Sequence, residues 1–235
     1  MFFEYEYKIK EMKIDYKIEE VKPNVFAVVV PDGYHRAMLF CRVQEYYESP
    51  NPQFRGKNFS IWDYIQWYSR EHNNTFTYTS DWSGFNIPLK TAWDCYEKLY
   101  EYETPYDEVM DSIIRTIELK MFYKKNTRNW KAYIIGAGST ESDTFQHEVC
   151  HGLYYTNKEY KKIVDEQTKL IKKKHYNIFK KNLLKMGYTE AVIDDEIQAY
   201  LQYGWDNDDF GKGVPMEIRE MYNSWYEDEL TNFKK

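Results

Sequence analysis

Residues 144–152 read TFQHEVCHG and contain the pattern His-Glu-x-x-His. The polar residues 139–143 before them supply an N-cap, so a helix is expected here. On a helix, His147 and His151 lie four positions apart on one face, and both imidazoles can reach the same metal ion. Glu148 lies beside them, where it can accept a proton from a metal-bound water. The stretch predicts a metal centre; the alternative is an ordinary helix that carries two of the chain's five histidines.

This motif resembles that of the zincin superfamily of zinc metallopeptidases. The likeness is strong over residues 143–153 and loose over residues 130–205, whereas the chain before residue 125 matches no peptidase pattern. The resemblance implies Zn²⁺ as the cofactor, with three protein ligands and a fourth position for water. It also implies that Glu148 acts as general base on this water and then passes the proton to the leaving amine. The expected function is a zinc-dependent hydrolase that cleaves peptide bonds.

The third zinc ligand distinguishes the subfamilies of zincins. Metzincins have a glycine three residues after the second histidine and a further histidine three residues beyond it, but this chain has Tyr154 and Asn157 there. Peptide deformylase shares the run Gln-His-Glu, which residues 146–148 match, but takes its third ligand from a cysteine in a short upstream motif. The nearest upstream cysteine is Cys95, and its surroundings do not match. A gluzincin-like arrangement remains, in which a glutamate from a later helix completes a His₂Glu site.

Glu196 is the best candidate for that glutamate. It lies on a helix predicted over residues 189–203 and follows His151 by 45 positions (196 − 151 = 45). Ala199 on the same helix is small and would let it pack closely against the metal-binding helix. The neighbouring Asp195 is the second candidate, either as a ligand or as the group that orients a ligating histidine. The opposite interpretation of Glu196 is a surface carboxylate at an acidic helix start.

Two further acids and two tyrosines belong to the same hypothesis. Asp165 and Glu166 would be ligands if the chain turned back sooner. Related enzymes take an oxyanion donor from a Tyr or His outside the motif, and Tyr200 and Tyr203 are near Glu196 in the sequence. Of these two, Tyr200 is predicted to be catalytic. The predicted site consists of the metal ligands His147, His151 and Glu196 and the catalytic residues Glu148 and Tyr200.

Composition and charge limit the class of protein and its partners. The 235 residues are 43% hydrophobic, which is enough for one large domain with its own core. Aromatic residues make up 19%, including 24 Tyr. This suits a groove for peptides or sugars, although an AT-rich genome is the simpler explanation. The net charge of −6 argues against nucleic acid or an anionic membrane as a partner, so a peptide or protein substrate is expected.

The cysteines and the first residues bear on the compartment. Cys41, Cys95 and Cys150 are widely spaced and form no Cys-x-x-Cys pair, which suits free thiols under reducing conditions. The first eight residues, MFFEYEYK, have acids where a secretory signal needs an apolar run. No stretch approaches the length of a transmembrane helix. A soluble, cytoplasmic protein is expected.

The expected fold class is α+β: a mainly helical zincin-like catalytic region with a small antiparallel sheet. An N-terminal α+β region, residues 1–125, and a helical metal-binding region, residues 126–235, are expected to form one compact domain. Period-2 alternation and short apolar runs predict strands, within residues 3–30 and at 76–79 and 130–138. Helical periodicity and capping residues predict helices, at residues 34–49, 59–72, 89–102, 104–123, 158–186, 189–203 and 215–233. Ser60 is expected to cap the helix at 59–72, and Gly187 is expected to end the helix at 158–186.

Parts of this fold are expected to contact a substrate. The strand at 130–138 comes shortly before the metal-binding helix, where zinc peptidases have an edge strand that holds an extended substrate backbone. The aromatic loop 81–88 is either buried packing or the wall of a binding site. Glu45 and Glu48, near the end of helix 34–49, are either surface charges or part of a cleft.

Two other functions are compatible with the same residues. One is an amidase that acts on a small or cell-wall substrate, which would need the same metal and the same base. The other is a non-catalytic, zincin-like binding or accessory protein, whose contact surface would be the loop 81–88. Activity that depends on Glu148 would separate both enzymes from the binding protein.

Overall fold

A four-stranded sheet lies at the centre of the fold in the computed structural model, which describes residues 13–99, 101–125 and 131–234. The strands, in chain order, are β1 (Lys17–Lys22), β2 (Val25–Val29), β3 (Phe85–Pro88) and β4 (Tyr133–Ala137). Their order in the sheet is β1-β2-β4-β3. β1 pairs antiparallel with β2, β3 pairs antiparallel with β4, and β2 and β4 run parallel. The sheet thus joins strands from both halves of the chain.

Alternate residues of the two central strands face two separate hydrophobic cores. In β2, Phe26 and Val28 face one core, while Val25 and Ala27 face the other, and β4 alternates in the same way. Successive side chains of a strand point to opposite faces, so a strand buried on both faces must be apolar throughout. The sequences VFAVV of β2 and YIIGA of β4 meet this requirement.

Helices cover both faces of the sheet. The α-helices of the described ranges are α1 (Gly33–Glu48), α2 (Ile61–Glu71), α3 (Tyr78–Asp81), α4 (Leu89–Glu97), α5 (Pro105–Lys125), α6 (Asp143–Thr156), α7 (Lys158–Leu170), α8 (Lys173–Lys185), α9 (Ile193–Gln202), α10 (Asp208–Gly211) and α11 (Met216–Lys234). Helices α1 to α5 surround the first core, and α6 to α11 surround the second. None of these helices combines the length and the apolar character that crossing a membrane would take.

The sheet is mixed, whereas the sequence predicts a small antiparallel one. That prediction is wrong for β2 and β4, which pair in parallel. Parallel neighbours need a long crossover connection, and here α1 to α5 and β3 supply it. Alternation within a strand indicates its burial but not its neighbour, so the sequence pattern leaves the direction of pairing open. Of the predicted strand region 3–30, residues 3–12 lie outside the described residues.

The strand before the motif helix is an interior strand of the sheet. β4 confirms the strand predicted within 130–138, but β2 and β3 flank it on both sides. The expectation of an edge strand there is therefore wrong, because a substrate has no free β4 edge to pair with. The edge position beside α6 belongs to β3, which forms the second half of the predicted loop 81–88. Its sequence FNIP is short and ends in proline, which weakens a strand signal.

The strand predicted at 76–79 is also wrong, because Tyr78 begins the one-turn helix α3. The hydroxyls of Thr77 and Tyr68 both donate to Asp81 Oδ2, at 2.6 and 2.7 Å, and hold this turn against α2. The Tyr78 ring is completely buried. Side-chain contacts with the neighbouring helix thus outweigh the β-propensity of the sequence FTYT.

The single helix predicted over 158–186 is two helices, α7 and α8, which break at Ile171 and Lys172. The backbone N–H of Lys172 donates to Tyr222 Oη of α11 at 3.2 Å, so a tertiary hydrogen bond replaces a helical one. His175 Nδ1 lies 2.8 Å from the same hydroxyl. No glycine or proline marks this break, which explains why helical periodicity runs through it.

The helix predicted over 89–102 ends five residues early, at Glu97. The other predicted helices agree with the structure to within a few residues, and the α+β class is confirmed. Ser60 caps α2 as predicted, because its Oγ accepts a hydrogen bond from the backbone N–H of Trp62. Gly187 follows α8 with a φ of +103°, a conformation that glycine adopts without strain. Local capping signals were therefore reliable where no distant contact competed with them.

Gly152 sets the distance between α6 and the sheet. A Cβ atom at this position would lie 2.6 Å from Cγ1 of Val25 on β2. Val25 is completely buried and has no space into which it can move. Any side chain at Gly152 would therefore push the motif helix away from the strand beneath it.

We predict that Gly152→Ala destabilises the protein by about 1–3 kcal/mol, the usual effect of adding a methyl group to a filled core. Urea unfolding measures the loss. Gly33→Ala is the matched control, because a Cβ at Gly33 meets its nearest atom at an ordinary 3.6 Å, and its effect should stay below about 1 kcal/mol. Equal stability of Gly152→Ala and the parent protein would show that α6 is not held this closely.

Candidate metal centre

The His-Glu-x-x-His motif lies on α6, as predicted. Ser142 caps the helix, since its Oγ accepts from the backbone N–H of Phe145 at 3.1 Å. The rings of His147 and His151 face the same side, with their centroids 4.9 Å apart. His151 is 2% exposed, so the inner end of this face is closed to solvent. The helix thus presents two imidazoles side by side.

Glu196 of α9 completes a group of three candidate ligands. Its Oε2 lies 3.7 Å from Nε2 of His147, and its Oε1 lies 3.7 Å from Nε2 of His151. One ligand atom from each residue can be chosen so that all three lie within 4.8 Å of one another. The buried Ala199 lets α9 pack against α6, as its small size suggests. The structure therefore brings together the three residues that the sequence analysis selects.

The outer nitrogen of each imidazole is already engaged. Nδ1 of His147 lies 3.1 Å from the carbonyl oxygen of Tyr203, and Nδ1 of His151 lies 3.0 Å from Oδ1 of Asp195. Because both partners accept hydrogen bonds, each Nδ1 carries the proton. In the neutral form that binds a metal ion, the lone pair on each Nε2 atom then points toward Glu196. Metal-binding histidines are oriented in this way in zinc sites, and Asp195 has the orienting position rather than a ligand position.

The unpaired oxygen of Glu196 supports a cation at this point. Oε2 is buried and has no hydrogen-bond partner in the described part of the chain. A buried, unpaired carboxylate oxygen is costly unless a cation or a proton lies beside it. Two imidazole nitrogens and a carboxylate form the donor set that Zn²⁺ takes in many catalytic sites. The residues present fit a zinc ion.

The electrostatic environment of His151 also favours a cation at this site. Burial alone would lower the pKa of His151, but the carboxylates of Asp195 and Glu196 outweigh it and raise the pKa well above the usual value. The site therefore attracts positive charge strongly. In a metal-loaded protein this charge would come from the ion, which needs the neutral form of the imidazole.

Glu148 lies beside the three ligands and is held in place by β3. Nδ2 of Asn86 donates to Glu148 Oε2 at 2.8 Å, and the hydroxyl of Tyr133 donates to Asn86 Oδ1 at 2.6 Å. Burial raises the pKa of the Glu148 carboxyl. A Cβ at Gly84 would lie 2.4 Å from Glu148 Oε1, so only glycine leaves room for the carboxylate. Asn86 and Gly84 of the first half of the chain, supported by Tyr133 of the second, thus fix the orientation of Glu148.

Tyr200 lies at the site and has an unexpected partner. Its ring stands edge-on to the His147 imidazole, with centroids 4.8 Å apart, and stacks on Phe210 at 4.8 Å. The hydroxyls of Tyr200 and Tyr188 are 3.1 Å apart. Burial and then the charge of Glu196 raise the pKa of Tyr188 well above its usual value, so its hydroxyl keeps the proton. Tyr203 contributes its backbone carbonyl, which lies 3.1 Å from Nδ1 of His147.

Asp165 and Glu166 are not brought to the site. Both lie on α7, where Asp165 accepts from the Tyr154 hydroxyl at 2.8 Å and pairs with Lys161 at 3.2 Å. Glu166 is exposed and lies 3.9 Å from Lys162. Of the later carboxylates considered from the sequence, Glu196 is the one that faces both histidines.

A cleft of about 700 Å³ opens over the candidate ligands. One side is formed by α6, α9 and the turn after α8; the other is formed by α1, α2 and residues 81–86. Part of the aromatic loop is therefore a cleft wall, and Phe85 is core packing. Glu45 and Glu48 also border the cleft, so they are not free surface charges. Burial, followed by the repulsion from Glu196, raises the pKa of Glu48 to about 8.

Sequence reasoning missed Asn86, Gly84 and Tyr188. Asn86 and Gly84 lie within the loop singled out for its Asn, Gly and aromatic residues, which was the available signal. Tyr188 follows the helix-ending Gly187 and has no distinguishing mark among 24 tyrosines. All three reach the site through contacts between distant parts of the chain.

No protein-family model, no curated protein sequence and no solved structure matches the chain. The resemblance to zincins therefore depends on the motif and on the arrangement of the three candidate ligands.

Glu45 gives the site a pH dependence that can be measured without metal. Burial raises its pKa from 4.5 to about 7. Between these values the folded protein holds a proton that the unfolded chain has released, so stability falls as the pH rises through this range. The ionised Glu45 is therefore a source of instability in the free protein.

We predict that Glu45→Gln stabilises the protein more at about pH 8 than at about pH 5.5, with a difference of about 2 kcal/mol from the 1.36 kcal/mol that each pKa unit is worth. Urea unfolding at both pH values measures it. Glu71→Gln, at an exposed position of α2, is the control and should show no such difference. A Glu45→Gln effect that is the same at both pH values would contradict the raised pKa.

Proposed function

We propose that the protein is a zinc-dependent hydrolase that cleaves amide bonds in a peptide or protein substrate. One observation carries this proposal: both Nε2 atoms of the motif histidines are turned toward Glu196, and the buried carboxylate of Glu148 lies beside them. Two imidazoles and one carboxylate leave a coordination position open, as a catalytic zinc site requires. A purely structural zinc site would have four protein ligands.

His147, His151 and Glu196 would hold the metal ion. When bound, zinc polarises the substrate carbonyl and makes a water molecule more acidic. Asp195 and the Tyr203 carbonyl keep the two imidazoles in the orientation that binds the ion. The buried position of His151 and Glu196 keeps competing water away from the inner side of the site.

Glu148 would be the general base and then the general acid. A buried carboxyl whose pKa is raised can both take a proton from water and return it to a leaving amine. The Asn86 amide donates to Oε2, which leaves Oε1 as the oxygen for proton transfer. The Gly84 backbone lies against that oxygen, so the reacting water and the substrate would lie along residues 83–84.

Tyr188 and Tyr200 would supply the hydrogen bond to the developing oxyanion. Within their pair one hydroxyl donates to the other, and the accepting hydroxyl keeps its own proton for a substrate atom. Both residues border the cleft. A neutral donor that is fixed before the reaction stabilises the transition state more than the ground state. This assigns the predicted role of Tyr200 to a pair of tyrosines.

The cleft favours a peptide over a small amide. The cleft has a volume of about 700 Å³, and besides the candidate ligands its lining includes Trp67 and Trp82 of the first half of the chain and Asn207 of the second. A substrate that fills such a cleft has groups on both sides of the bond that is cleaved. Aromatic walls suit side chains of varied shape.

We predict that Glu148→Gln loses hydrolysis of a fluorescently labelled unfolded protein by about 100-fold or more, the usual contribution of a general base. Its zinc content should equal that of the parent protein, because Glu148 is not a ligand. Glu141→Gln, at an exposed position just before α6, is the control and should keep full activity. Activity of Glu148→Gln equal to that of the parent protein would end the proposal.

A further inference from the structure

The cleft continues beyond the candidate metal centre into an aromatic section on the side of α1 and α2. Its walls include Tyr64, Trp67, Tyr68 and Trp82. The rings of Tyr64 and Trp67 have centroids 5.6 Å apart, and those of Tyr64 and Tyr68 are 5.8 Å apart. The rings form a connected wall, in which Tyr64 and Tyr68 are buried and Trp82 remains 39% exposed. This section, which we call the aromatic pocket, has no role in the proposed hydrolysis.

Glu45 is the buried acidic group of the aromatic pocket. It borders the cleft and is only 5% exposed. The hydroxyls of Tyr64 and Ser49 lie against its carboxyl group. Neither lysine nor arginine pairs with it among the residues that the structure describes, and neither residue type borders the cleft. Its negative charge is therefore buried without a compensating cation.

An organic cation satisfies this environment better than the alternatives. A metal ion would need several oxygen ligands, and the pocket has one buried carboxylate. The other carboxylate that borders it, Asp81, is exposed and already accepts hydrogen bonds from the hydroxyls of Tyr68 and Thr77. An anionic or neutral group would leave the buried charge uncompensated. A guanidinium or ammonium group can pair with the carboxylate, and the aromatic faces attract it through their quadrupoles. Burial raises the pKa of Glu45 to about 7, and a bound cation would stabilise its charged form.

The position of Glu45 also fits a long side chain. Glu48 follows it by one helical turn and is close enough to Glu196 and Glu148 to be repelled by both. Residues three apart on a helix have Cβ atoms about 5–6 Å apart, so Glu45 lies roughly one turn farther from the metal centre than Glu48 does. The aliphatic part of an arginine or lysine could pack on the rings while its charged end reaches Glu45.

We propose that the aromatic pocket is a subsite for a basic side chain of the substrate and that Glu45 neutralises its charge. The inference rests on the proposed function, because it assigns the pocket to the peptide that this enzyme would cleave. With this subsite, the substrate class is a peptide or protein that has an arginine or lysine near the bond that is cleaved. Glu45 is a specificity-determining residue in this account and takes no part in the chemistry.

The test compares two capped pentapeptides, AARAA and its twin with citrulline, the neutral isostere of arginine. Calorimetry measures the binding of each peptide to the zinc-loaded Glu148→Gln protein. This variant is used because it should not hydrolyse the peptides during the measurement. We expect the arginine peptide to bind about tenfold more tightly than the citrulline peptide. The reason is that the guanidinium group can pair with the Glu45 carboxylate and make a cation–π contact with the aromatic rings. In the double variant with Glu45→Gln this preference should fall below about threefold, whereas adding Glu71→Gln should leave it unchanged.

Three outcomes would overturn the subsite. They are equal binding of the two peptides, a citrulline preference, and an arginine preference that survives Glu45→Gln. The comparison of the two peptides uses a protein with an unaltered Glu45. It therefore tests the subsite even if the Glu45→Gln protein does not fold.

Hydrolysis by the wild-type protein is measured separately on the same two peptides. An arginine preference in binding without hydrolysis of any peptide or unfolded protein would support the subsite and contradict the proposed function. Hydrolysis of both peptides at equal rates, with equal binding, would support the proposed function and contradict the subsite.

Discussion

The close approach of the buried Glu196 to the imidazoles of His147 and His151 is the constraint on which the rest of the site depends. Glu196 is 4% exposed, and its Oε2 has no hydrogen-bond partner within residues 13–99, 101–125 and 131–234. A fold that buries a carboxylate in this way must bring positive charge to it, through a proton or an ion. The hydrogen bonds of Asp195 and of the Tyr203 carbonyl fix the imidazoles so that their free nitrogens face the same point. Packing of α9 on α6, with Ala199 as the small residue, makes this approach possible.

The two halves of the chain contribute different parts of the site. All three candidate metal ligands come from the second half, on α6 and α9. The first half supplies Asn86 and Gly84 from around the edge strand β3, and these hold the carboxylate of Glu148. It also supplies the acidic and aromatic end of the cleft, with Glu45 on α1. The parallel pairing of β2 with β4 joins the two halves, so the chemistry and the proposed specificity meet at one sheet.

The sequence predicts the parts of the site that depend on helical spacing. His147, His151 and Glu148 follow from one helical turn. Glu196 follows from a second helix whose start is marked by acids and whose face carries a small residue. Asn86 was not predicted, because its role comes from the pairing of β3 with β4, which the local pattern FNIP does not reveal.

The same distinction explains the fold. Caps such as Ser60 and stops such as Gly187 act locally and were predicted correctly. The parallel pairing in the sheet and the break between α7 and α8 depend on partners far away in the chain, such as the Tyr222 hydroxyl that binds Lys172. Tertiary contacts of this kind can outweigh the secondary-structure propensity of the local sequence, because that propensity is a small energy per residue.

Metal analysis of the purified protein beside Glu196→Gln tests the central claim most directly. The proposed site predicts one zinc ion per chain in the parent protein and its loss in Glu196→Gln, which removes the ligand charge but keeps the shape of the side chain. Asp194→Asn, at an exposed position on the same helix, should keep the metal and controls for the change of net charge. A Glu196→Gln protein that binds zinc as tightly as the parent, or a parent protein that binds none, would contradict the account.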